Sequence, residues 1–274
     1  MSASGEQASR VITSPANARV KWLSGLRRRR SRDVEGVTVV EGYDELKLAL
    51  DVGVVATELF YCPELVRDGS RLALIERVQS LGGAVTQLGP AAFAKATYRE
   101  SPDGWIAVVP EPSRPLRELE LPSGRPALVL VCEAIEKPGN LGAMLRTADA
   151  AGVDAVIAAS PVADWGNPNV VRASKGTVFA VPVASASTAE VVGWLAKRQL
   201  SVVVATPLTD TLITIVDLTG PTAIVVGAEH EGISTTWLEA ADQTAKLPMH
   251  GHVNSLNVAT SAAVVIYEAL RQRA

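Results

Sequence analysis

Short apolar stretches separated by polar turns predict a mixture of helices and strands in the N-terminal part of the chain. The pattern predicts strands at residues 37–40, 58–61, 84–88 and 105–109, and helices at residues 43–50 and 71–81. Gly53 and the pair Gly82-Gly83 follow the two helical stretches and are typical helix stops. Residues 10–110 are therefore predicted to form one small α/β domain.

From residue 127 onward, longer apolar runs alternate with helical patterns. Strands are predicted at residues 127–132, 155–159, 178–183, 201–205 and 223–226, and helices at residues 141–151 and 258–271. Because these strands are apolar throughout, they are typical of a parallel sheet that helices cover on both faces. The pattern predicts an α/β fold, with a second domain at residues 127–274.

Two further segments lack such periodicity. Five prolines between residues 110 and 126 disfavour both helix and central strand, so residues 111–126 are predicted to form a stiff linker. Residues 1–9 are small and polar, and we expect a disordered tail there.

Composition excludes several classes of protein. Hydrophobic residues make up 47% of the chain and aromatic residues only 4%, which predicts a core of Ala, Val, Leu and Ile. The two cysteines, Cys62 and Cys132, are too few for a disulfide framework or a cysteine-rich zinc site. No apolar run reaches the roughly 18 residues of a membrane span, and no signal peptide opens the chain, so we expect a soluble cytoplasmic protein.

Charge is unevenly distributed, although the net charge is only −3. Eight cationic residues and no acidic residue lie between Arg10 and Arg32, where apolar spacing predicts a helix capped by Thr13, Ser14 or Asn17. The block is either a solvated helix face or a surface for the phosphates of a nucleic acid. The candidate RNA-binding cations are Arg19, Lys21, Arg27, Arg28, Arg29, Arg30 and Arg32.

The motifs of the common nucleotide-binding folds are absent from the sequence. It contains no GxxxxGK[ST] phosphate loop, no GxGxxG turn after a first strand, and neither HExxH nor GxSxG. His230, His250 and His252 are candidate zinc ligands, but histidines in loops are usually solvated and this spacing is not diagnostic. We therefore expect no metal site.

Three polar, glycine-containing segments lie where α/β proteins place ligand loops, at residues 136–146, 225–234 and 247–259. Each also has an ordinary structural interpretation. The first is a strand-to-helix turn with a surface arginine, the second a turn with solvated acids, and the third a pair of helix caps.

Taken together and in this order, the three segments resemble the motifs of the SpoU (TrmH-like) family of RNA 2′-O-ribose methyltransferases. The resemblance rests on PGNLGAMLR at residues 138–146, GAEHEG at residues 227–232, and LPM at residues 247–249 with SLNV at residues 255–258. Residues 12–21, with Glu41-Gly42 downstream, resemble the substrate-binding extension of the same family. Lys137 and His230 depart from the family pattern, and Lys137 suggests a different RNA contact.

The resemblance implies a fold, a cofactor and partners. Catalytic domains of the family have a deep trefoil knot near the C-terminus, bind S-adenosylmethionine at the knot and form homodimers. The small N-terminal domain resembles the α/β RNA-binding module of ribosomal proteins. By position, the implied cofactor-binding residues are Thr206, Gly227, Leu247 and Leu256.

The implied reaction is in-line transfer of a methyl group to a ribose 2′-oxygen, which requires positioning and removal of a proton but no metal. The implied catalytic residues are Asn140, Arg146, Glu229, Ser255 and Asn257. Asn140 is expected before a helix, and Ser255 and Asn257 are expected to hydrogen-bond the substrate or Arg146. Because arginine stays protonated, Arg146 is expected to stabilise negative charge rather than act as a free base, with Glu229 orienting it or capping the cofactor loop.

The sequence leaves more than one RNA substrate open. The two-domain layout and basic block favour 23S rRNA, with a tRNA as an alternative. Abundant Ala, Val and Arg suggest a GC-rich source, in which resistance to a ribosome-targeting antibiotic such as thiostrepton or avilamycin is a hypothesis. Two other classes stay open: a non-catalytic RNA-binding or ribosome-assembly protein with this fold, and an α/β enzyme with another nucleotide cofactor.

Overall fold

A computed structural model describes residues 11–228 and 232–274, which form two compact units. The first unit extends to Glu111 and includes Gly166–Pro168, and the second comprises Pro112–Trp165 and Asn169–Ala274. The tail expected at residues 1–9 lies outside the described residues.

The first unit is built on a mixed four-stranded sheet. Its elements are α1 (Ala18–Gly25), α2 (Arg29–Glu35), β1 (Val37–Glu41), α3 (Tyr43–Asp51), β2 (Glu58–Tyr61), α4 (Ala73–Ser80), β3 (Ala84–Gln87), α5 (Pro90–Ala96) and β4 (Trp105–Pro110). The strand order is β1-β4-β2-β3, with β4 antiparallel to both neighbours and β3 parallel to β2. Leu23 and Leu26 pack with Phe60 and Phe93 in the core, so the basic segment belongs to the folded unit.

The strands predicted for this unit are confirmed, each ending within one residue of its expected position. The basic segment forms two helices instead of one, because Arg28 has an extended backbone with φ −86° and ψ 130°. Helix α4 begins at Ala73, after a 3-10 turn at Gly69–Leu72, and α5 was not predicted.

The second unit is built on a seven-stranded sheet. Its elements are β5 (Ser113–Arg114), β6 (Leu128–Glu133), α6 (Pro138–Ala151), β7 (Ala155–Ala159), α7 (Pro168–Ala173), β8 (Val183–Ala186), α8 (Thr188–Lys197), β9 (Ser201–Ala205), β10 (Thr222–Val226), α9 (Thr235–Ala240), β11 (Gln243–Ala245) and α10 (Val258–Arg273). The strand order is β11-β9-β10-β6-β7-β8-β5, and neighbouring strands pair in parallel. The predicted parallel sheet is confirmed.

Helices cover both faces of this sheet because successive residues of each strand point to opposite sides. Val131 of β6 belongs to the core cluster that contains Trp194 of α8 and Trp237 of α9. The next residue, Cys132, faces the other layer, where its Sγ lies 3.8 Å from Sδ of Met144 in α6. Buried strands are therefore apolar on both sides, which explains their continuous apolar runs.

Two predictions for this unit are wrong. Residues 111–126 are not a separate linker: β5 pairs with β8 at the sheet edge, and Leu119 is buried in the core. Prolines are tolerated there because an edge strand is hydrogen-bonded on one side only. The strand predicted at residues 178–183 is instead a 3-10 turn at Thr177–Phe179, and β8 begins at Val183, since a short apolar run does not distinguish a buried turn from a strand.

Candidate active site

The carboxyl ends of neighbouring strands bring the three motifs to one edge of the second sheet. β6 leads into the first motif, β10 into Gly227, β9 into Thr206 and β11 into Lys246. Strands β6 and β10 are neighbours at the point where the strand order reverses, with β7 following β6 on one side and β9 lying beside β10 on the other. Open α/β sheets bind ligands at this kind of position.

A cavity of about 350 Å³ opens at this edge. Small-molecule sites in proteins typically occupy about 300–1,000 Å³. Three of the four predicted cofactor-binding residues, Thr206, Leu247 and Leu256, line the cavity, as does Ser255. Gly227, the fourth, does not line the cavity but follows the adjacent strand β10.

The cavity wall is held by backbone hydrogen bonds between the loop after β9 and the end of β11. The N–H of Thr206 donates to the carbonyl of Ala245 at 2.9 Å, and the N–H of Lys246 donates to Thr211 at the same distance. The N–H of Ile213 donates back to the carbonyl of Lys246 at 3.0 Å. These bonds give the cavity a preformed wall in which Thr206 is buried.

A sharp turn precedes the first motif. Ala134, directly after β6, has a left-handed backbone with φ 51°, and its N–H donates to the carbonyl of Ala159 at 3.0 Å. Helix α6 then begins at Pro138 instead of Leu141, because proline suits the first helical turn, where N–H groups have no intrahelical acceptor. Asn140 therefore lies in the first turn of the helix, which corrects its expected position before the helix.

A hydrogen bond joins the first motif to the third. Nδ2 of Asn257 donates to Oδ1 of Asn140 at 3.2 Å, across 117 residues of sequence. Oδ1 of Asn257 accepts the N–H of Ala259 at 3.0 Å and caps α10. Asn257 thus uses both halves of its amide, which an ionised aspartate cannot do because a carboxylate only accepts hydrogen bonds.

Arg146 lies further along α6 and is exposed. Six residues of helix separate it from Asn140 by about 9 Å along the axis and about a third of a turn. Within residues 11–228 and 232–274, Arg146 forms no hydrogen bond or ion pair, so the contacts expected from Ser255 and Asn257 to Arg146 are not formed. The structure brings Asn140 and Asn257 together and leaves Arg146 on the adjoining surface of the same helix.

Helix α6 is held against the C-terminal end of α7 at Gly142. A Cβ at this position would lie 2.5 Å from Cβ of Ala173 and 2.8 Å from the backbone N of Ser174, so only glycine permits the approach. This contact fixes the helix that carries Asn140 and Arg146.

The two ends of the second motif lie close together between β10 and α9. Ala228 and Gly232 form an antiparallel bridge, in which the N–H of Gly232 donates to the carbonyl of Ala228 at 3.0 Å. A Cβ at Gly227 would overlap the carbonyl of Gly232, which explains the glycine. Glu229, expected at the catalytic centre, and His230 lie outside the described residues.

A buried carboxylate that the sequence analysis did not single out lies at the end of β6. Glu133 is 5% exposed, and its Oε2 accepts the N–H of Ser234 at 2.9 Å while its Oε1 accepts the Ser234 hydroxyl at 2.7 Å. Oγ1 of Thr188 donates to Oε1 at 3.3 Å. The available signal was an acidic residue that directly follows the apolar run at residues 127–132.

The predicted basic surface is divided between α1 and α2 of the first unit. Asn17, one of the three expected caps, accepts the N–H of Arg19 at 2.8 Å and caps α1. Six of the seven candidate cations are exposed, and four of these are called here the α1–α2 cation surface: Lys21, Arg28, Arg29 and Arg30.

Arg32 does not belong to that surface. It is 2% exposed, and its Nη1 donates to the carbonyls of Leu26 at 3.2 Å and Arg27 at 3.0 Å. The expected RNA contact by Arg32 is wrong, because its charge is buried in the fold and satisfies backbone acceptors.

Arg19 and Arg27 are partly engaged within the first unit. Arg19 pairs with Glu58, and its guanidinium carbon lies 4.6 Å from the ring centre of Trp22. Arg27 donates to the carbonyl of Ala96 at 3.1 Å and lies 4.8 Å from the ring centre of Tyr98. Cation–π contacts of this kind contribute about 0.5–1 kcal/mol at exposed sites, so both arginines also support the helices that present the cations.

Glu41, which belongs to the segment that resembles the family's substrate-binding extension, is buried in the first unit. Its Oε1 accepts the N–H of Tyr98 at 2.6 Å, and its Oε2 accepts the hydroxyl of Thr97 at 3.0 Å. Burial raises the pKa of the Glu41 carboxyl above its usual value, and the two hydrogen bonds oppose that rise. Glu41 therefore holds the segment after α5 in place.

The described residues contain no helix that is long and apolar enough to cross a membrane. In the same part of the chain, no three His, Cys, Asp or Glu side chains cluster as metal ligands would. His250 and His252 are exposed on the loop before α10, and Cys62 and Cys132 are buried free thiols.

A parallel α/β sheet with a cavity at its carboxyl edge defines an α/β protein with a ligand site at that edge, and the same chain carries a small unit that exposes cations. Residues 127–267 match the SpoU rRNA methylase family, and residues 17–107 match the MRM3-like substrate-binding domain. The chain belongs to the SpoU rRNA methylase family, which confirms the resemblance drawn from its motifs.

Relatives and solved structures extend the match to nearly the whole chain. The 23S rRNA (uridine(2479)-2′-O)-methyltransferase of Streptomyces viridochromogenes is 32% identical over 97% of this chain and 93% of its own length. The 23S rRNA (guanosine(2553)-2′-O)-methyltransferase RlmP of Bacillus subtilis is 30% identical over 93% and 97%, respectively. The crystal structure of the SpoU methyltransferase AviRb from Streptomyces viridochromogenes in complex with AdoMet matches 94% of this chain and 99% of its own at 30% identity, with a TM-score of 0.84. The expected parallel-sheet fold is confirmed, and S-adenosylmethionine is the cofactor of the family.

Proposed function

We propose that this protein transfers a methyl group from S-adenosylmethionine to a ribose 2′-hydroxyl of 23S rRNA. The observation that carries the proposal is the hydrogen bond from Asn257 to Asn140, which joins the first and third family motifs beside the cavity. Both relatives named above are 23S rRNA 2′-O-methyltransferases, which favours rRNA over the tRNA alternative.

The cavity suits S-adenosylmethionine in its lining and its charge. Buried Thr206 and the apolar Leu247 and Met249 provide backbone groups and packing surface for an adenosine. The ammonium of Lys246 is ion-paired with Asp210 at 3.0 Å, which lessens its repulsion of a cationic sulfonium. When bound, the cofactor supplies an electrophilic methyl group.

The residues of the chain then position the ribose and manage its proton. Arg146 stabilises negative charge on the 2′-oxygen and contacts the adjacent RNA phosphate, since a guanidinium stays charged at neutral pH. That phosphate accepts the 2′-hydroxyl proton as the bond from the 2′-oxygen to the methyl group forms. Asn140, held by Asn257, orients the start of the helix that carries Arg146. Ser255 orients the ribose from the cavity wall.

The first unit binds the RNA. The four cations of the α1–α2 cation surface are exposed on α1 and at the start of α2 and can neutralise several phosphates. We assign residues 10–110 to RNA binding and residues 127–274 to methyl transfer. The methylated nucleotide differs between the relatives, uridine in one and guanosine in the other, so mapping must identify it here.

A homodimer and a knotted C-terminus belong to the same proposal. Helix α10 exposes Val264, Tyr267 and Leu270, whose three-residue spacing places them along one apolar stripe that a second copy can cover. The backbone hydrogen bonds between the loop after β9 and the end of β11 hold these two segments together, which favours the proposed knotted C-terminus. Analytical ultracentrifugation should give a dimer mass that Tyr267→Glu reduces to a monomer mass; a monomeric wild-type protein would contradict the dimer.

The proposed site of action is the cytoplasm, where ribosomal RNA is available, and one proposed consequence is antibiotic resistance. Expression in a susceptible bacterium should raise the inhibitory concentration of thiostrepton or avilamycin if methylation alters the drug site. Methylated rRNA with unchanged sensitivity to both drugs would point to a housekeeping role.

The activity is tested with radiolabelled S-adenosylmethionine and total RNA, after which rRNA and tRNA are separated. We expect label in 23S rRNA as an alkali-resistant dinucleotide, because a 2′-O-methyl group blocks alkaline cleavage. Label in tRNA would redirect the substrate assignment, and absence of cofactor binding would favour the non-catalytic RNA-binding alternative.

A further inference from the structure

We propose that Glu133 is a positioning residue that sets the second motif for methyl transfer without contacting the substrate. The inference rests on the proposed function and deepens it. Glu133 ends β6, the strand beside β10, and accepts hydrogen bonds from the segments that begin α8 and α9. It lies outside the three motifs.

The strand pattern makes a carboxylate unexpected at this position. Val129 and Val131 face the core cluster beneath α8 and α9, and Glu133 continues the same face with a period of two. An apolar residue would pack there without loss of hydration, whereas a buried carboxylate is costly unless hydrogen bonds compensate it. The three donors that converge on Glu133 meet that requirement and give the residue a positional role.

Glu133 positions Ser234, the residue directly before α9. Ser234 is the N-cap residue of α9, yet its hydroxyl does not cap the helix, because that hydroxyl donates to Oε1 of Glu133. The backbone N–H of Ser234 donates to Oε2. Glu133 therefore holds the entry to α9 by both the backbone and the side chain of one residue.

The held residue lies at the base of the second motif. Ser234 follows Gly232 by two residues, and Gly232 forms an antiparallel bridge with Ala228. The motif begins directly after β10, at Gly227. Ser234, which follows the motif, is hydrogen-bonded to Glu133 at the end of β6. Since β6 runs directly into the first motif, Glu133 fixes the second motif relative to the first.

Three variants test the inference by single-turnover methyl transfer to 23S rRNA at saturating cofactor and RNA. Glu133→Ala should lower the rate about tenfold or more, the effect of losing hydrogen bonds to a charged group at the site, with cofactor affinity changed by less than about threefold. Glu133→Gln keeps one acceptor oxygen and should recover part of the rate. Thr188→Val is the matched control: it removes a bond to the same carboxylate but not the Ser234 anchor, and its rate should stay within about twofold of wild type.

Hydrogen exchange of the segment 227–234 gives a readout that does not depend on activity. Without RNA or cofactor, it should be faster in Glu133→Ala and in Glu133→Gln than in wild type or Thr188→Val. Wild-type rate and exchange in the Glu133 variants would overturn the inference, as would an equal loss in Thr188→Val, which would indicate general destabilisation. If wild type methylates no RNA, the proposed function fails, while the exchange comparison still decides whether Glu133 holds the second motif.

Discussion

Replacing Asn257 by aspartate tests whether the joined motifs serve catalysis or only stability. In the wild-type protein, Oδ1 of Asn257 caps α10, and Nδ2 donates to Asn140 at 3.2 Å. Asn257→Asp keeps an oxygen for the cap but removes the donor and places a carboxylate opposite Oδ1 of Asn140. The substitution therefore separates the two roles of one side chain.

The structure gives an expected magnitude for each role. The retained cap and a negative charge at a helix N-terminus favour the folded state by about 0.3–1 kcal/mol, while the lost hydrogen bond costs about 1 kcal/mol. The midpoint of thermal unfolding should then shift by no more than about 4 °C. The methyl-transfer rate should fall about tenfold or more, because the lost bond and the new repulsion act at the proposed active centre, and about 1.4 kcal/mol corresponds to a factor of ten in rate.

The assay is single-turnover methyl transfer to 23S rRNA, with thermal unfolding measured on the same preparations. Asn257→Ser keeps a capping hydroxyl and adds no charge, so its rate should lie between those of wild type and Asn257→Asp. A wild-type rate in Asn257→Asp would refute the reasoning, and a large drop in unfolding midpoint with the rate of the folded fraction unchanged would reduce the bond to a structural contact.

Three further predictions follow from the same geometry. Arg146→Ala should abolish methyl transfer and leave cofactor affinity by calorimetry within a few fold; lost cofactor binding would make Arg146 structural. Changing the α1–α2 cation surface to alanine should weaken binding of single-stranded rRNA fragments and reduce the slope of log affinity against log salt by about 3, whereas an unchanged slope would place the RNA elsewhere. Burial and the Glu64 carboxylate raise the pKa of the Cys62 thiol to about 11, and burial also raises the pKa of the Cys132 thiol. Both thiols should therefore react with a thiol reagent at about pH 8 only after unfolding. Rapid labelling of the native protein would contradict their burial.

Local sequence determined much of the fold and the order of the motifs. Apolar runs predicted β6, β7, β9 and β10, since a buried parallel strand is apolar on both faces. Asn17 was recognisable as one of three candidate caps because helix capping involves residues close in sequence. The same logic would have found α8, whose capping box joins Ser187 and Glu190, had that signal been used.

Tertiary structure alone decided which of these residues meet and which charges are buried. Asn257 and Asn140, 117 residues apart, are joined only because parallel strands bring their carboxyl ends to one edge. Arg32 was indistinguishable in sequence from its exposed neighbours, yet it is buried against the carbonyls of its own segment. The sequence showed Glu133 as an acidic residue at the end of an apolar run but did not show its hydrogen-bond donors. Those donors, Thr188 and Ser234, lie at the starts of two other helices. Periodicity reports which face of an element is apolar, whereas the partner of a polar group depends on how distant elements pack.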